Sequence, residues 1–513
     1  MFDALVFVCT DPIAILLTLG GVVMGLIFGA IPGLTATLGV ALLIPVSFSL
    51  SPLHAMMLLG GVYIGGISGG LVSAILINMP GTPSSICTTY DGHPMAKKGR
   101  ASEALTIGVV SSFVGGIFSW VALVAIAPQL AKIALGFAPY EYFWLTVFGL
   151  TVIIGMETKS PLKALLGTVI GLVIAAIGMD PVGGVARFDF DIRILRSGFR
   201  MVPVLMGFFV VTEILSSLRE FKDKYTFADS GLKTINVDSL MEEKGETVKN
   251  MGISSVIGTF LGILPGVGGA TANFISYDVV KKGSKHPERF GTGYAQGIVA
   301  SETGNNAVTG GAIIPMMTLG IPGDSVTAVM LGAMMIHGLR PGPMMFNNSA
   351  EVVYPFFISI LLANIFMILV QFLGGIKVSV RALRMPKWVL FPLVILMLIA
   401  GTWTLQYSAY DVWTVFLFGF LGYYIKRFGV PMTPIVLGVI LGPTMEDNLR
   451  RGLVLSKGSL EPFLTRDFSM ALIAAILLTL AITLTISYKG RKKKVAEAAG
   501  FGRAAAEADV PLD

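Results

Sequence analysis

Thr82, Ser84 and Ser85 follow a Pro80-Gly81 pair, and Asp324 and Ser325 follow Pro322-Gly323, each time at the end of a long apolar run. A helix cannot continue through Pro-Gly without losing a backbone bond and clashing with the preceding turn. Each pair therefore ends one helix and starts another. A helix restarting at Thr82 aims free N–H groups and the positive end of its dipole at the break, where the hydroxyls join them. That combination suits a carboxylate without any lysine or arginine. Asp324 already fills the anion-favouring place in the second break, which suits a hard cation held by carboxylate, hydroxyl and carbonyl oxygens. Upstream, Glu302, Asn305 and Asn306 stand inside the otherwise apolar crossing that contains SETGNNAVTGG, 301–311. Ionisable groups at such depth are costly and mark function. The first break is thus assigned mainly to substrate, and the second, with Glu302, Asn305, Asn306, Gly323, Asp324 and Ser325, mainly to a coupling cation. An ordinary helix cap is the plainer role for Asp324.

These breaks occur twice. GAIPGLTAT at 29–37 matches GILPGVGGA at 262–270, with Pro32 against Pro265 at an offset of 233 (265 − 32). NMPGTPSS at 78–85 matches GIPGDSVT at 320–327, with Pro80 against Pro322 at an offset of 242 (322 − 80). Interrupted hydrophobic segments at corresponding places in two halves point to the binding site of a transporter. Pro32, Gly33, Thr35, Asn78, Pro80, Gly81, Thr82, Ser84, Ser85, Pro265 and Gly266 are therefore the candidate substrate-binding residues.

Loop charge relates the halves. KKGSKHPER at 281–289 is rich in Lys and Arg, whereas its counterpart near 48–56 (FSLSPLHAM) has neither. After the second motif the bias reverses: DGHPMAKKGR at 91–100 carries Lys97, Lys98 and Arg100, and AMMIHGLRPG near 333–342 only Arg340. Cytoplasmic loops collect Lys and Arg. Matching loops are thereby expected on opposite sides of a membrane, as an inverted-topology repeat requires.

Of the 513 residues, 54% are hydrophobic and only 13% charged, and mean hydropathy is +0.79. Soluble domains carry about a quarter charged residues. The pattern predicts an all-α polytopic membrane protein with about ten to twelve crossings, some of them broken or re-entrant. Its parts are a first membrane half at 1–217, a mixed-charge polar linker at 218–250, a second half at 251–488 and a basic, then Ala-rich tail at 489–513. The cluster YKGRKKK predicts a cytoplasmic C-terminus, and no basic n-region announces a signal peptide. A net charge of +6 spread over short loops, without an aromatic-interleaved groove, argues against nucleic acid and for membrane lipid as the neighbour. GVGGAT at 266–271 lacks the Gly-Lys-Ser/Thr ending of a phosphate loop, so no ATP site is expected. Neither a nucleophile elbow nor a metal-ligand spacing appears, so no enzyme and no cofactor is expected beyond a sodium ion or proton. The histidines read as solvated loop residues, Cys9 and Cys87 as small packing groups, and Tyr90-Asp91 and Tyr277-Asp278 as interfacial anchors.

GAIPGLTATLG, INMPGTPSS with TYDGHPMAKKG, GILPGVGGATA, YDVVKKGSKHPERFG and ETGNNA…LGIPGDS together resemble the large membrane subunit of the tripartite tricarboxylate transporter (TctA) family, over about residues 15 to 485. The resemblance implies a permease subunit that works with a small four-helix membrane subunit and a periplasmic solute-binding protein in the bacterial inner membrane. It further implies uptake of tri-, di- or aromatic carboxylates on an ion gradient. A channel-like or structural membrane protein with gated passive flow is the alternative.

Overall fold

The computed structural model describes residues 1–156, 160–180, 183–219, 235–483 and 485. The described residues are mostly helical. The strands among them form one short antiparallel ribbon, pairing Gly178 with Arg187 and Met179 with Ala186. The first half contains α1 (Phe2–Thr10), α2 (Pro12–Ala30), α3 (Ala36–Ser47), α4 (Pro52–Ile77), α5 (Thr88–Met95), α6 (Ala101–Ala134), α7 (Pro139–Met156), α8 (Pro161–Ala176), α9 (Met201–Met206) and α10 (Thr212–Arg219). After a short α11 (Asp238–Glu242) come α12 (Lys244–Ile263), α13 (Gly268–Gly283), α14 (Ala295–Leu319), α15 (Ser325–Ile336), α16 (Met345–Asn348), α17 (Ala350–Val370) and α18 (Ile376–Leu383). Four more follow: α19 (Lys387–Gln406), α20 (Ala409–Arg427), α21 (Met432–Leu455) and α22 (Glu461–Thr465).

Among the described residues, six stretches are long and apolar enough to cross a membrane: Pro12–Ala30, Pro52–Ile77, Thr88–Ala134, Met201–Leu218, Ala350–Leu383 and Trp388–Gln406. The protein is a multi-pass, all-α membrane protein. Some of the expected pieces are broken or re-entrant: α3 and α15 have 12 residues each, about 18 Å of helix against roughly 30 Å of hydrocarbon. They are arms that stop inside the fold. Helix α14 is long enough to cross, at 25 residues, and carries Glu302, Asn305 and Asn306 in its middle.

The breaks have the same backbone in both halves. Helix α4 ends on Asn78 at φ 57° and α14 on Gly320 at φ 70°, both left-handed C-caps, and 320 − 78 is the 242 offset of the motifs. Gly33 (φ 89°) and Gly266 (φ 76°), 233 apart, turn the chain between α2 and α3 and between α12 and α13. A left-handed residue after the last turn satisfies the free carbonyls, and the following proline prevents the helix from resuming.

Packing repeats as well. Helix α2 lies against α4, and α12 against α14. Each half then lends a helix to the other, with α6 on α14 and α17 on α4. Gly81 rests on the carbonyl of Gly29, where a Cβ would lie 2.0 Å from the oxygen, and Gly323 rests on that of Gly262, at 2.5 Å. Close helix crossings through small residues are how membrane helices gain contact when lipid is as apolar as leucine. Helix α4 is buried along its whole apolar window, as expected of a helix that is apolar on every face.

The segment read as a solvated linker is helical at both described ends. Helix α10 runs to Arg219 and α12 begins at Lys244. Ser239 donates to Glu103, and Arg100 bonds both, so this part packs on the first half. Residues 220–234 and the basic tail at 489–513 lie outside the described residues.

Candidate functional site

All four Pro-Gly motifs converge. The starts of α3 (Thr35, Ala36, Thr37), α13 (Gly268 to Thr271) and α15 (Asp324, Ser325, Val326) meet the turn at Thr82, Pro83 and Ser84 around a cavity of about 330 Å³. Ile67, Ile153, Gly266, Val267, Thr433 and Pro434 complete its wall. Its size falls in the lower part of the range for small-molecule sites, about 300–1,000 Å³. The α-helices α3, α13, α15 and α21 begin at this space, which places the positive ends of their dipoles beside it. Hydroxyls of Thr35, Thr37, Thr82, Ser84, Thr271, Ser325 and Thr433 stand around it. Among the described residues that line it there is no lysine, arginine or histidine, and Asp324 is the one ionisable group.

Local sequence explains each wall. Thr35 caps α3 by accepting from Leu38 N, at 3.3 Å. Thr82 Oγ1 lies 3.0 Å from both Ser84 Oγ and Ser85 Oγ, which ties the turn Pro83–Ser85 into a rigid hydroxyl knot. Asp324 caps α15 in a capping box: Oδ1 accepts from Thr327 N at 2.8 Å and from Thr327 Oγ1 at 2.7 Å, while Oδ2 accepts from Tyr63 OH at 2.7 Å. Across the cavity mouth Thr37 Oγ1 meets Ser325 Oγ at 3.0 Å. Residues of the first half thus touch the second directly.

Of the candidates, Thr35, Thr82, Ser84, Gly266, Asp324 and Ser325 line the cavity. Pro32, Gly33, Pro80, Gly81, Pro265 and Gly323 shape the backbone around it without lining it, and Ser85 is buried in the knot. Asn78 is an exposed cap. Glu302, Asn305 and Asn306 form a buried cluster in α14 behind the wall and do not line it. The assignment of one break to substrate and the other to cation does not map onto two places, since both breaks share the one cavity.

Several participants gave no local signal. Tyr63, midway along α4 and 0% exposed, reads as one more core aromatic until Asp324 is placed beside it. Thr433 and Pro434 come from the start of α21, outside both motifs. Two expectations need correction. Asp91 is no interfacial anchor: it is fully buried, its Oδ1 accepts from the N–H groups of Gly291 (2.9 Å), Gly293 (2.9 Å) and Tyr294 (2.8 Å), and Tyr277 OH donates to Oδ2 at 2.7 Å. Its side chain satisfies a loop of the other half, whereas Asp278 makes the expected exposed pair with Lys282, at 2.6 Å. Nor are the histidines solvated throughout: His93 is buried and donates from Nδ1 to the Ile75 carbonyl at 3.0 Å. His54 pairs with Asp11 at 2.7 Å, and this bond holds the Asp11 carboxyl below its usual range.

The family model described as the tripartite tricarboxylate transporter TctA family matches residues 15–437. The chain belongs to that family. It is 35% identical over 485 residues, 94% of this chain and 96% of the relative, to an Agrobacterium vitis protein named "Uncharacterized 52.8 kDa protein in TAR-I ttuC' 3'region". A second A. vitis protein, from the TAR-II ttuC' 3' region, is 32% identical over 238 residues, 46% of this chain and 98% of its own length. No solved structure matches. The chain is therefore a membrane subunit of a tripartite tricarboxylate transporter, a transport component that has partner subunits.

Proposed function

We propose that the chain is the large permease subunit of a secondary transporter that takes up organic carboxylates, tri- or dicarboxylates of the citrate kind, through the cavity between the four Pro-Gly breaks. The observation that carries this is the cavity's lining: converging helix starts and hydroxyls, with no basic side chain among the described residues. Such a site stabilises a carboxylate by fixed dipoles and releases it again, whereas a lysine or arginine at depth would hold it tightly. A small four-helix membrane subunit and a periplasmic solute-binding protein are the partners, the latter delivering the carboxylate. A sodium or proton gradient supplies the energy.

What supports an inverted arrangement is which loops meet. The two basic loops touch, since Lys98 Nζ donates to Thr292 O at 2.7 Å and Asp91 holds 291–294. Their two counterparts also touch, Ser47 Oγ lying 3.1 Å from His337 Nε2. The reading puts the first pair in the cytoplasm and the second in the periplasm, and the chain in the bacterial inner membrane.

Vesicles holding both membrane subunits, given the binding protein and labelled citrate, test the proposal. Accumulation above the outside concentration that collapses with the ion gradient is the expected result. Equilibration without accumulation would favour a channel.

A further inference from the structure

Behind the cavity wall, Glu302 sits in the middle of α14 and is 0% exposed. Thr88 of α5 donates its hydroxyl to Oε1 at 2.5 Å, and Ser112 of α6 donates to Oε2 at 3.1 Å. The amide nitrogen of Asn306 donates to Ser112 Oγ at 2.8 Å and lies 3.4 Å from Oε2. All these partners are neutral. Among the described residues no lysine, arginine or histidine forms an ion pair with Glu302. Buried charge without a countercharge is expensive, and hydroxyls repay only part of it.

Asn305 is the second observation. It is 0% exposed, and neither its amide oxygen nor its amide nitrogen has a hydrogen-bond partner. It lies within reach of the Glu302 carboxylate without meeting hydrogen-bond geometry. Its oxygen also faces the cavity wall: a Cβ on Gly269 would meet Asn305 Oδ1 at 2.9 Å and Ser84 Oγ at 3.4 Å. A carboxylate held only by neutral donors and an amide oxygen with no partner thus stand side by side. One small cation would complete both.

We propose that Glu302, Asn305, Thr88 and Ser112 form a sodium site immediately behind the carboxylate cavity, and that Asp324 is a helix cap outside it. All the candidate ligands are oxygens, which hard cations require. The single carboxylate matches one positive charge and leaves a divalent ion half compensated. A proton would neutralise Glu302 but leave Asn305 without a partner. Asp324 spends Oδ1 on capping its own helix through Thr327 and Oδ2 on Tyr63. Thr88 and Ser112 come from the first half and Glu302 and Asn305 from the second, so bound sodium draws the halves together next to Ser84. Its role as the coupling ion rests on the transport reading above, but its binding does not.

Purified full-length chain in detergent, without partner subunits or carboxylate, is titrated with sodium chloride against choline chloride at constant ionic strength and followed by thermal unfolding. A ligand that binds only the folded state raises Tm saturably. Sodium is expected to do so in the wild type and in Asp324→Asn. Glu302→Gln should lose the response, and Asn305→Ala should need about tenfold more sodium for the same shift. Should Glu302→Gln fail to fold, Asn305→Ala decides alone. A wild type that responds to pH but not to sodium overturns the site, as does a wild-type response in Asn305→Ala. Loss of the response in Asp324→Asn moves the site to the cavity. None of these readouts involves uptake, so failure here and failure of the transport proposal are told apart.

Discussion

Ser84 and Ser85 are neighbours with different work. Ser84 lines the cavity, while Ser85 is 0% exposed and spends its hydroxyl on Thr82. Ser84→Ala should therefore weaken apparent carboxylate affinity with little loss of fold, because a hydrogen bond to a charged group is worth roughly 1.5–3 kcal/mol. Ser85→Ala should lower Tm by loosening the turn and alter affinity less. Uptake kinetics and thermal unfolding of the two variants, side by side, check the division; equal affinity losses would put Ser85 in the site too. At this scale the sequence discloses what proline and glycine disclose. Thr35, Thr82, Ser84, Gly266, Asp324 and Ser325 were legible because a break in an apolar run is visible locally and repeats. Tyr63 and Thr433 were not, because their part depends on a fold that brings residues 63 and 324 together. Asp91 misled for a related reason: its matching dipeptide, Tyr277-Asp278, suggested equal roles, yet one carboxylate is buried on backbone amides and the other is exposed.

The elements owe their arrangement to close backbone approach as much as to hydrophobicity. Gly81 on Gly29 and Gly323 on Gly262 fasten each break to the helix that precedes its partner motif. A methyl group at either glycine meets a carbonyl oxygen that cannot step aside, so the helix pair must part. Gly81→Ala and Gly323→Ala should each cost at least about 1–3 kcal/mol, the range for overpacking, and lower Tm and the yield of folded protein together. Near-wild-type stability in either variant would mean that this crossing yields more easily than the backbone contact implies. The apolar lengths made the all-α class legible, and the motif offsets foretold which breaks would look alike. What they could not convey is the exchange of α6 and α17 between halves, since both helices are apolar and any neighbour would satisfy them. The start of α12 carries a separate, solvent-side fastening. Burial alone would raise the Glu243 carboxyl, but hydrogen bonds from Tyr294 (2.6 Å) and Arg289 (2.8 Å) outweigh it and hold it below its ordinary value. A depressed carboxyl contributes stability above its unfolded value and loses it as pH falls through the folded one. The Tm advantage of wild type over Glu243→Gln should accordingly be present at pH 6–7 and vanish on acidification below the usual glutamate range.

For the molecule as a whole, the decisive question is whether the two halves face opposite ways. Alternating access by such a pair needs each arm, α3 and α15, to enter from its own side and meet the other at a shared cavity. The contact of Thr37 with Ser325 is where they meet. Lys97, Lys285, Ser51 and Asn347 are exposed, and single cysteines at these positions report sidedness directly. The background must lack Cys9, which is exposed, while Cys87 is buried and can stay. Cysteines at Lys97 and Lys285 should react with a membrane-impermeant maleimide only after the cytoplasmic face is opened. Those at Ser51 and Asn347 should react in intact spheroplasts. Ser51 and Lys285 carry the most weight, because they follow the same motif in the two halves and the basic residues distinguish them. If those two label from one side, the halves are parallel, the arms enter together, and the cavity between them must open by some movement other than an exchange of equivalent halves.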